Sequence, residues 1–299
     1  MSIGVALSLS VAVLWGLAPF AHAAAGRRIG AIPTLLWRSA FASLVLLAIA
    51  AVFRVPIPPV HASLVMIASG LVGVGLGDFL IYDAFVVLGP RRSVQLLALG
   101  PAFAFAFAWI FLGETVSLIQ LAGAVLVLAA SFTAIWVDRR ADPASTEPGR
   151  VSLRGVLGGV GGAIMVGAAS VIARQAYRLD PGMHPLTASC LRVVTASLLL
   201  WCIPVFRTGY PALFRTLGDR QALNRIALGT VLGPVLGMIA FVGALKHLEA
   251  GLVTTLMSLS PLLILPVSAI RHRARIGPAV ILAAVAAVTG VALISLGNR

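Results

Sequence analysis

The chain has 299 residues, of which 60% are hydrophobic and 10% charged, with 30 glycines, 17 prolines and a formal net charge of +13 at neutral pH. Soluble domains carry about a quarter charged residues, so a water-soluble globular protein is excluded. At about 20 apolar residues per membrane crossing, no sizeable extramembrane domain fits either. The positive charge does not imply nucleic acid, because the arginines punctuate apolar runs instead of clustering on one surface.

Runs bounded by charge, Pro or Gly predict helices over residues 3–24, 32–53, 62–88, 92–112, 117–137, 153–178, 185–206, 223–247, 251–270 and 277–297. The expected fold class is an all-α polytopic membrane protein with ten transmembrane helices. The first run ends in Ala21-His22-Ala23, which resembles a signal-peptidase site, but no positive charge precedes Arg27 and the run reads as a retained helix. Its stripe of Ser8, Ala12, Trp15, Pro19 and His22 suits a cavity wall at Trp15, or equally a packing tryptophan. His22, near the helix end, reads as solvated.

Arg38 lies early in the second span and Arg192 early in the seventh. Each either pairs with a carboxylate or helix C-terminus as part of a gate, or snorkels to the membrane surface. In the third span, Asp78, Tyr82 and Phe85 share a helical face with Leu71 and Gly75, whereas Gly70, Gly73 and Gly77 form another. The glycine face suits close helix contact. Asp78 then either lines a cavity or serves as a structural hydrogen-bond partner, and Asp83 points elsewhere, toward an interfacial role.

In the fourth span Gln95, Ala98, Ala102, Ala106 and Trp109 form a shallow groove, fit for a small apolar substituent or for helix packing. Pro101 and Pro261 are expected to kink or hinge their helices. Thr254, Thr255 and Ser258 precede the second of these prolines. The polar stretch 138–150 reads as a linker between residues 1–137 and 151–299. Cys190 and Cys202 fall in one apolar run, about 18 Å apart if helical, beyond disulfide reach.

The halves repeat. At an offset of 160, Gly73, Gly77, Ala84, Leu88, Leu96, Leu99 and Pro101 fall on Gly233, Gly237, Ala244, Leu248, Leu256, Leu259 and Pro261; at 154, Arg38 falls on Arg192. With five spans in each half, the second copy must enter the membrane from the opposite side, the inverted repeat typical of secondary transporters. Fifteen basic residues lie in or beside the odd-to-even loops and central linker, against five on the other side. That bias places these loops in the cytoplasm and both termini outside.

Gly75-Leu76-Gly77-Asp78 with Tyr82-Asp83 contains the short motifs of intramembrane aspartyl proteases. Two carboxylates must converge on one scissile bond in that chemistry, and these diverge by about 140° on one helix. No zinc-ligand spacing, phosphate loop or nucleophile triad accompanies them, so neither an enzyme nor a cofactor or metal is expected.

With the blocks Leu96–Pro101 and Phe111-Leu112-Gly113-Glu114 followed by Gly123, the two halves resemble the EamA-type repeat of the drug/metabolite transporter superfamily, and within it the YddG-type amino-acid exporters. The second copy departs from the pattern in having Ala274 where the first has Glu114. The resemblance implies a basket of helices around a central cavity that opens alternately to each side of a bacterial inner membrane. It also implies a small-molecule substrate such as an amino acid. Candidate contacts are Trp15, Asp78, Tyr82, Gln95 and Ser258, with Arg38, Arg192, Pro101 and Pro261 as gating or structural residues.

Overall fold

A computed structural model of the protein describes residues 2–88, 93, 96–141, 152–202, 210–260, 262–263 and 278–297. Among them there is no strand. The first half contains α1 (Ile3–Ile29), α2 (Ala31–Phe53), α3 (Val60–Gly70), α4 (Asp78–Leu88), α5 (Gly100–Leu112) and α6 (Leu118–Ala141). The second contains α7 (Leu153–Leu179), α8 (Pro185–Leu200), a short α9 (Tyr210–Arg215), α10 (Arg220–Thr230), α11 (Met238–His247), α12 (Ala250–Met257) and α13 (Pro278–Gly297). Among the described residues five rods are long and apolar enough to cross a membrane, and four shorter apolar helices accompany them.

Local chemistry sets the ends. Ser117 and Gln120 form a reciprocal capping box at the start of α6, with N–H to side-chain oxygen distances of 2.9 and 3.2 Å. α2 stops at Arg54, whose φ of 47° is left-handed, just before Pro56, Pro58 and Pro59 remove the donors needed to continue.

Two rods are not the uniform helices that periodicity predicts. Between α3 and α4, Leu71–Gly77 is a π-helix, and between α10 and α11 so is Val231–Gly237, 160 residues later. In each, an N–H reaches five residues back: Asp78 to Gly73 and Met238 to Gly233. Three glycines in the first segment and two in the second hold the chain weakly in α-helical geometry, and Pro234 has no N–H for an α-helical bond. The wide turn shifts the phase of everything after it, so the face deduced for Leu71, Gly75 and Asp78 at 100° per residue does not persist. Gly75 is buried against Leu199. The fourth span, read as continuous, is interrupted by a turn at Ala98–Leu99 before α5 starts at Gly100, and the seventh ends at Leu200. α9 was not apparent from the sequence pattern.

Close packing follows the small residues. α7 runs through the middle of the bundle: Gly158 and Gly162 face Leu80 and Ile81 of α4, and Gly167 faces Phe103 and Ala104 of α5. α1 plays the matching part in the other half, with Ala18 against Gly233. α6 and α13 meet at Gly123 and Gly290, where a Cβ on either would sit 2.6 Å from the other's carbonyl oxygen. We therefore expect Gly290→Val to force the helices apart and destabilise the fold by about 2 kcal/mol, the scale of overpacking. A substitution at Val288, on the exposed face of α13, should leave melting in detergent unchanged.

Candidate functional site

The interior polar residues gather around two arginines. Arg38, on α2, does not snorkel: its Nη2 donates to Asp78 Oδ2 at the start of α4, and its guanidinium lies over the Tyr82 ring, 5.3 Å from the centroid. Side-chain exposures of 13% and 25% make this a largely desolvated pair that retains an opening at the carboxylate. Arg38 Nε is buried without a hydrogen-bond partner. His22, expected to be solvated, is instead buried against Gly229, where the missing side chain leaves room for its ring. Its Nε2 has no partner.

Arg192, on α8, is 3% exposed and does not snorkel either. Its Nη1 donates to Ser69 Oγ, and Ser69 Oγ donates to the Ala169 carbonyl at 2.6 Å. Gly70 and Gly73 make room for it: a Cβ at Gly70 would overlap the Arg192 backbone, and one at Gly73 would lie 3.3 Å from Nη2. The guanidinium faces the Phe241 ring at 5.4 Å, a cation–π contact. Unlike Arg38, it has no ion pair among the described residues.

Trp15 donates its indole N–H to the Gly233 carbonyl at 3.2 Å and packs on Phe241 with centroids 5.2 Å apart. A Cβ at Gly237 would overlap the indole. The tryptophan thus braces the second π segment. Ser258 donates to the Thr255 carbonyl at 2.6 Å and lies 3.4 Å from Ser131 of α6. Pro101 occupies the first turn of α5, just past the Ala98–Leu99 turn, where its missing N–H costs nothing. Gln95 and Pro261 lie outside the described residues. The structure therefore brings together Arg38, Asp78 and Tyr82, and places Arg192 beside Phe241, which itself packs on Trp15; Ser258 lies apart, at the junction of α12 with α6. Ala102, Ala106 and Trp109 of the expected groove are exposed.

Both ends of the bundle are tied across the two halves. At one end Glu114, 5% exposed, accepts from Arg174 Nε and Arg178 Nη2 at 3.0 Å each and from the Ala250 N–H at 3.3 Å. The same arginines donate onward to the carbonyls of Leu245 and Leu112. One carboxylate thereby joins α5, α7, α11 and α12. The sequence signal for this cluster is the spacing of Arg174 and Arg178, four apart along one helix and so on one face.

At the other end Asp83 pairs with Arg154 at 2.6 Å, and Trp37 donates to Thr216 Oγ1 at 2.9 Å beside the Trp201 and Phe214 rings. Arg28, donating at 2.7 Å, and the Ala222 N–H hold the Asp219 carboxyl below its ordinary value. That exposed link is intact at neutral pH and is lost only as the pH falls through the lowered carboxyl value. Among the described residues no group of His, Cys, Asp or Glu could hold a metal ion.

Two inward-facing arginines, one mid-helix carboxylate and ion-paired ends define a helical membrane carrier more readily than a catalyst. The EamA-like transporter family model matches residues 2–136 and again 153–296. The chain belongs to that family and is a multi-pass membrane transporter. A crystal structure of a protein superposes with a TM-score of 0.69 at 20% sequence identity, covering 98% of this chain and 96% of that one, which is a likeness of fold. No curated protein matches the sequence.

Removing one partner of a buried pair strands the other charge. Arg38→Ala or Asp78→Asn alone is expected to cost about 2 kcal/mol, below the range for a wholly buried pair because Asp78 keeps some exposure. The double variant should lose clearly less than the sum. A thermal-melting double-mutant cycle checks this, and strict additivity would show that the pair carries no coupling.

Proposed function

We propose that the protein is a secondary transporter of a bacterial inner membrane that exports amino acids or related small metabolites, in the manner of the YddG-type exporters it resembles. The observation that carries the reading is the layer of Arg38, Asp78, Tyr82 and Arg192 held within apolar helices, since ionisable groups in such surroundings are costly and mark solute pathways. In this reading ten helices cross the bilayer as two inverted five-helix units, residues 1–137 and 151–299, joined by 138–150, with both termini outside the cytoplasm. The repeated π segments and the recurrence of Leu96–Pro101 at Leu256–Pro261 support that division.

Transport proceeds by alternating access, the halves rocking about a central site. Asp78 and Tyr82 contact the solute together with Gln95, and Trp15 shapes the wall. Pro101 and Pro261 supply the bends at which the fourth and ninth helices move. The Glu114 cluster closes one face, because it bridges the halves with charge-assisted bonds that must part before that face can open. Arg38 and Arg192 fix the third and eighth helices against their neighbours.

Purified protein in proteoliposomes should exchange labelled neutral amino acids, and Asp78→Asn should lower the rate about tenfold or more, the loss of one charged interaction, while protein abundance is kept. Transport of cationic drugs or sugar derivatives with no amino-acid flux would replace the amino-acid reading with that substrate class. An unchanged rate in Asp78→Asn would remove that residue from the site. Glu114→Gln should shift the accessibility of cysteines introduced near Ala250 toward solvent, read by labelling with a membrane-impermeant maleimide.

A further inference from the structure

Among the described residues the charges at the middle of the bundle do not balance. Arg38 and Arg192 contribute two guanidinium groups to the middle of the bundle, 13% exposed in its side chain and 3% exposed respectively, and Asp78 is the carboxylate bonded there. Asp78 is already bonded to Arg38. The other described carboxylates that form ion pairs do so toward the ends of the bundle: Asp83 with Arg154, Asp219 with Arg28, and Glu114 with Arg174 and Arg178; Glu249, whose buried Oε2 has no partner, adjoins Ala250 at the Glu114 end. Arg192 is left with a hydroxyl, a 3.4 Å contact to a carbonyl and the face of Phe241, and its Nε, also buried, has no partner. A guanidinium offers five donors in a planar fork that matches a carboxylate. One uncompensated positive charge in a low-dielectric interior is an incomplete site for one negative charge.

The surroundings say which kind of anion fits. Arg192 is flanked by the Phe241 ring, which itself packs on Trp15, so the neighbourhood is aromatic and favours an organic substituent over a hydrated inorganic ion. The guanidinium also lies on the seam between Gly70–Gly73 of the first half and α7 and α8 of the second. Rocking of the halves acts on that seam and would uncover the donors.

Resting on the transporter reading above, we infer that the solute is recognised by its carboxylate, which completes the ionic partnership Arg192 lacks, and that an ammonium group on the solute is not a recognition element. The second part follows from the first half's own pairing: Arg38 already neutralises Asp78, so that carboxylate can touch the solute but offers no unpaired charge to an ammonium. The substrate class is therefore monocarboxylates bearing an apolar substituent, with amino acids as members of it and their decarboxylated amines as non-members.

Three compounds sharing one side chain separate the possibilities: leucine, its 2-oxo acid and isoamylamine, each assayed in proteoliposomes for its own flux and as a competitor of the others. Leucine and the oxo acid should move and compete, and isoamylamine should compete about tenfold or more weakly, as expected when a charged hydrogen bond cannot form. Competition by the amine equal to that by the acids would overturn the inference and leave amino-acid transport standing. A leucine flux that the oxo acid fails to inhibit would overturn the claim about the ammonium group. Flux of the oxo acid without leucine flux would sink the amino-acid reading and keep the inference. Movement of the amine alone would sink both. In the same assay Arg192→Lys should retain more flux than Arg192→Gln, with melting temperature measured for each; equal flux in two variants of wild-type stability would also overturn it.

Discussion

A helix that departs from α geometry inside a hydrocarbon layer must find partners for the backbone groups it frees, since no water is present to take them. This chain departs from α geometry at equivalent places in both halves, at Leu71–Gly77 and Val231–Gly237, and each departure is covered by close contacts that glycine permits. Gly233 receives the Trp15 indole N–H in addition to the Met238 N–H, and Gly73 lies against Ala169 and Arg192. The central helices α1 and α7 come close enough to supply these contacts because the facing positions carry no or little side chain. The ionic groups are seated by the same geometry: Asp78 is the first residue after the π turn, and the turn's rotation contributes to aiming it at Arg38.

The large features were legible because they depend on composition and repetition. Apolar runs interrupted by arginine and proline mark helices whatever their neighbours, and the offset of 160 that superposes Gly73 and Gly77 on Gly233 and Gly237 matches the spacing of the two π segments. Helix phase after residue 71 was not legible, because a glycine-rich run looks the same to a periodicity count whether its turns are α or π. Interhelical partners were not legible either. Arg38 and Asp78 are 40 residues apart, and Glu114 lies 60 and 64 residues from its two arginines. A snorkelling arginine and a paired one have the same sequence signature until the orientation of the neighbouring helix is known. His22 shows the converse: its place near a helix end suggested water, whereas Gly229 opened a pocket for it on another helix.

The two halves share a backbone plan more closely than a charge plan. At the offset that aligns the π segments, Asp78 corresponds to Met238, which is buried, and Tyr82 to Val242. Arg192 accordingly has no carboxylate from its own half and meets the Phe241 ring, three residues past Met238, where Arg38 has Asp78 and Tyr82. At the bundle ends the divergence recurs, Glu114 having Ala274 as its counterpart in sequence. In the inverted arrangement proposed above, acidic residues in both copies would present equivalent ionic contacts to either face, and the two orientations of the pathway would be nearly equal in energy. With acids at these positions in one copy alone, the π segments recur while the electrostatics are one-sided. Under that proposed arrangement the carrier favours one face without changing the helix contacts on which both halves depend.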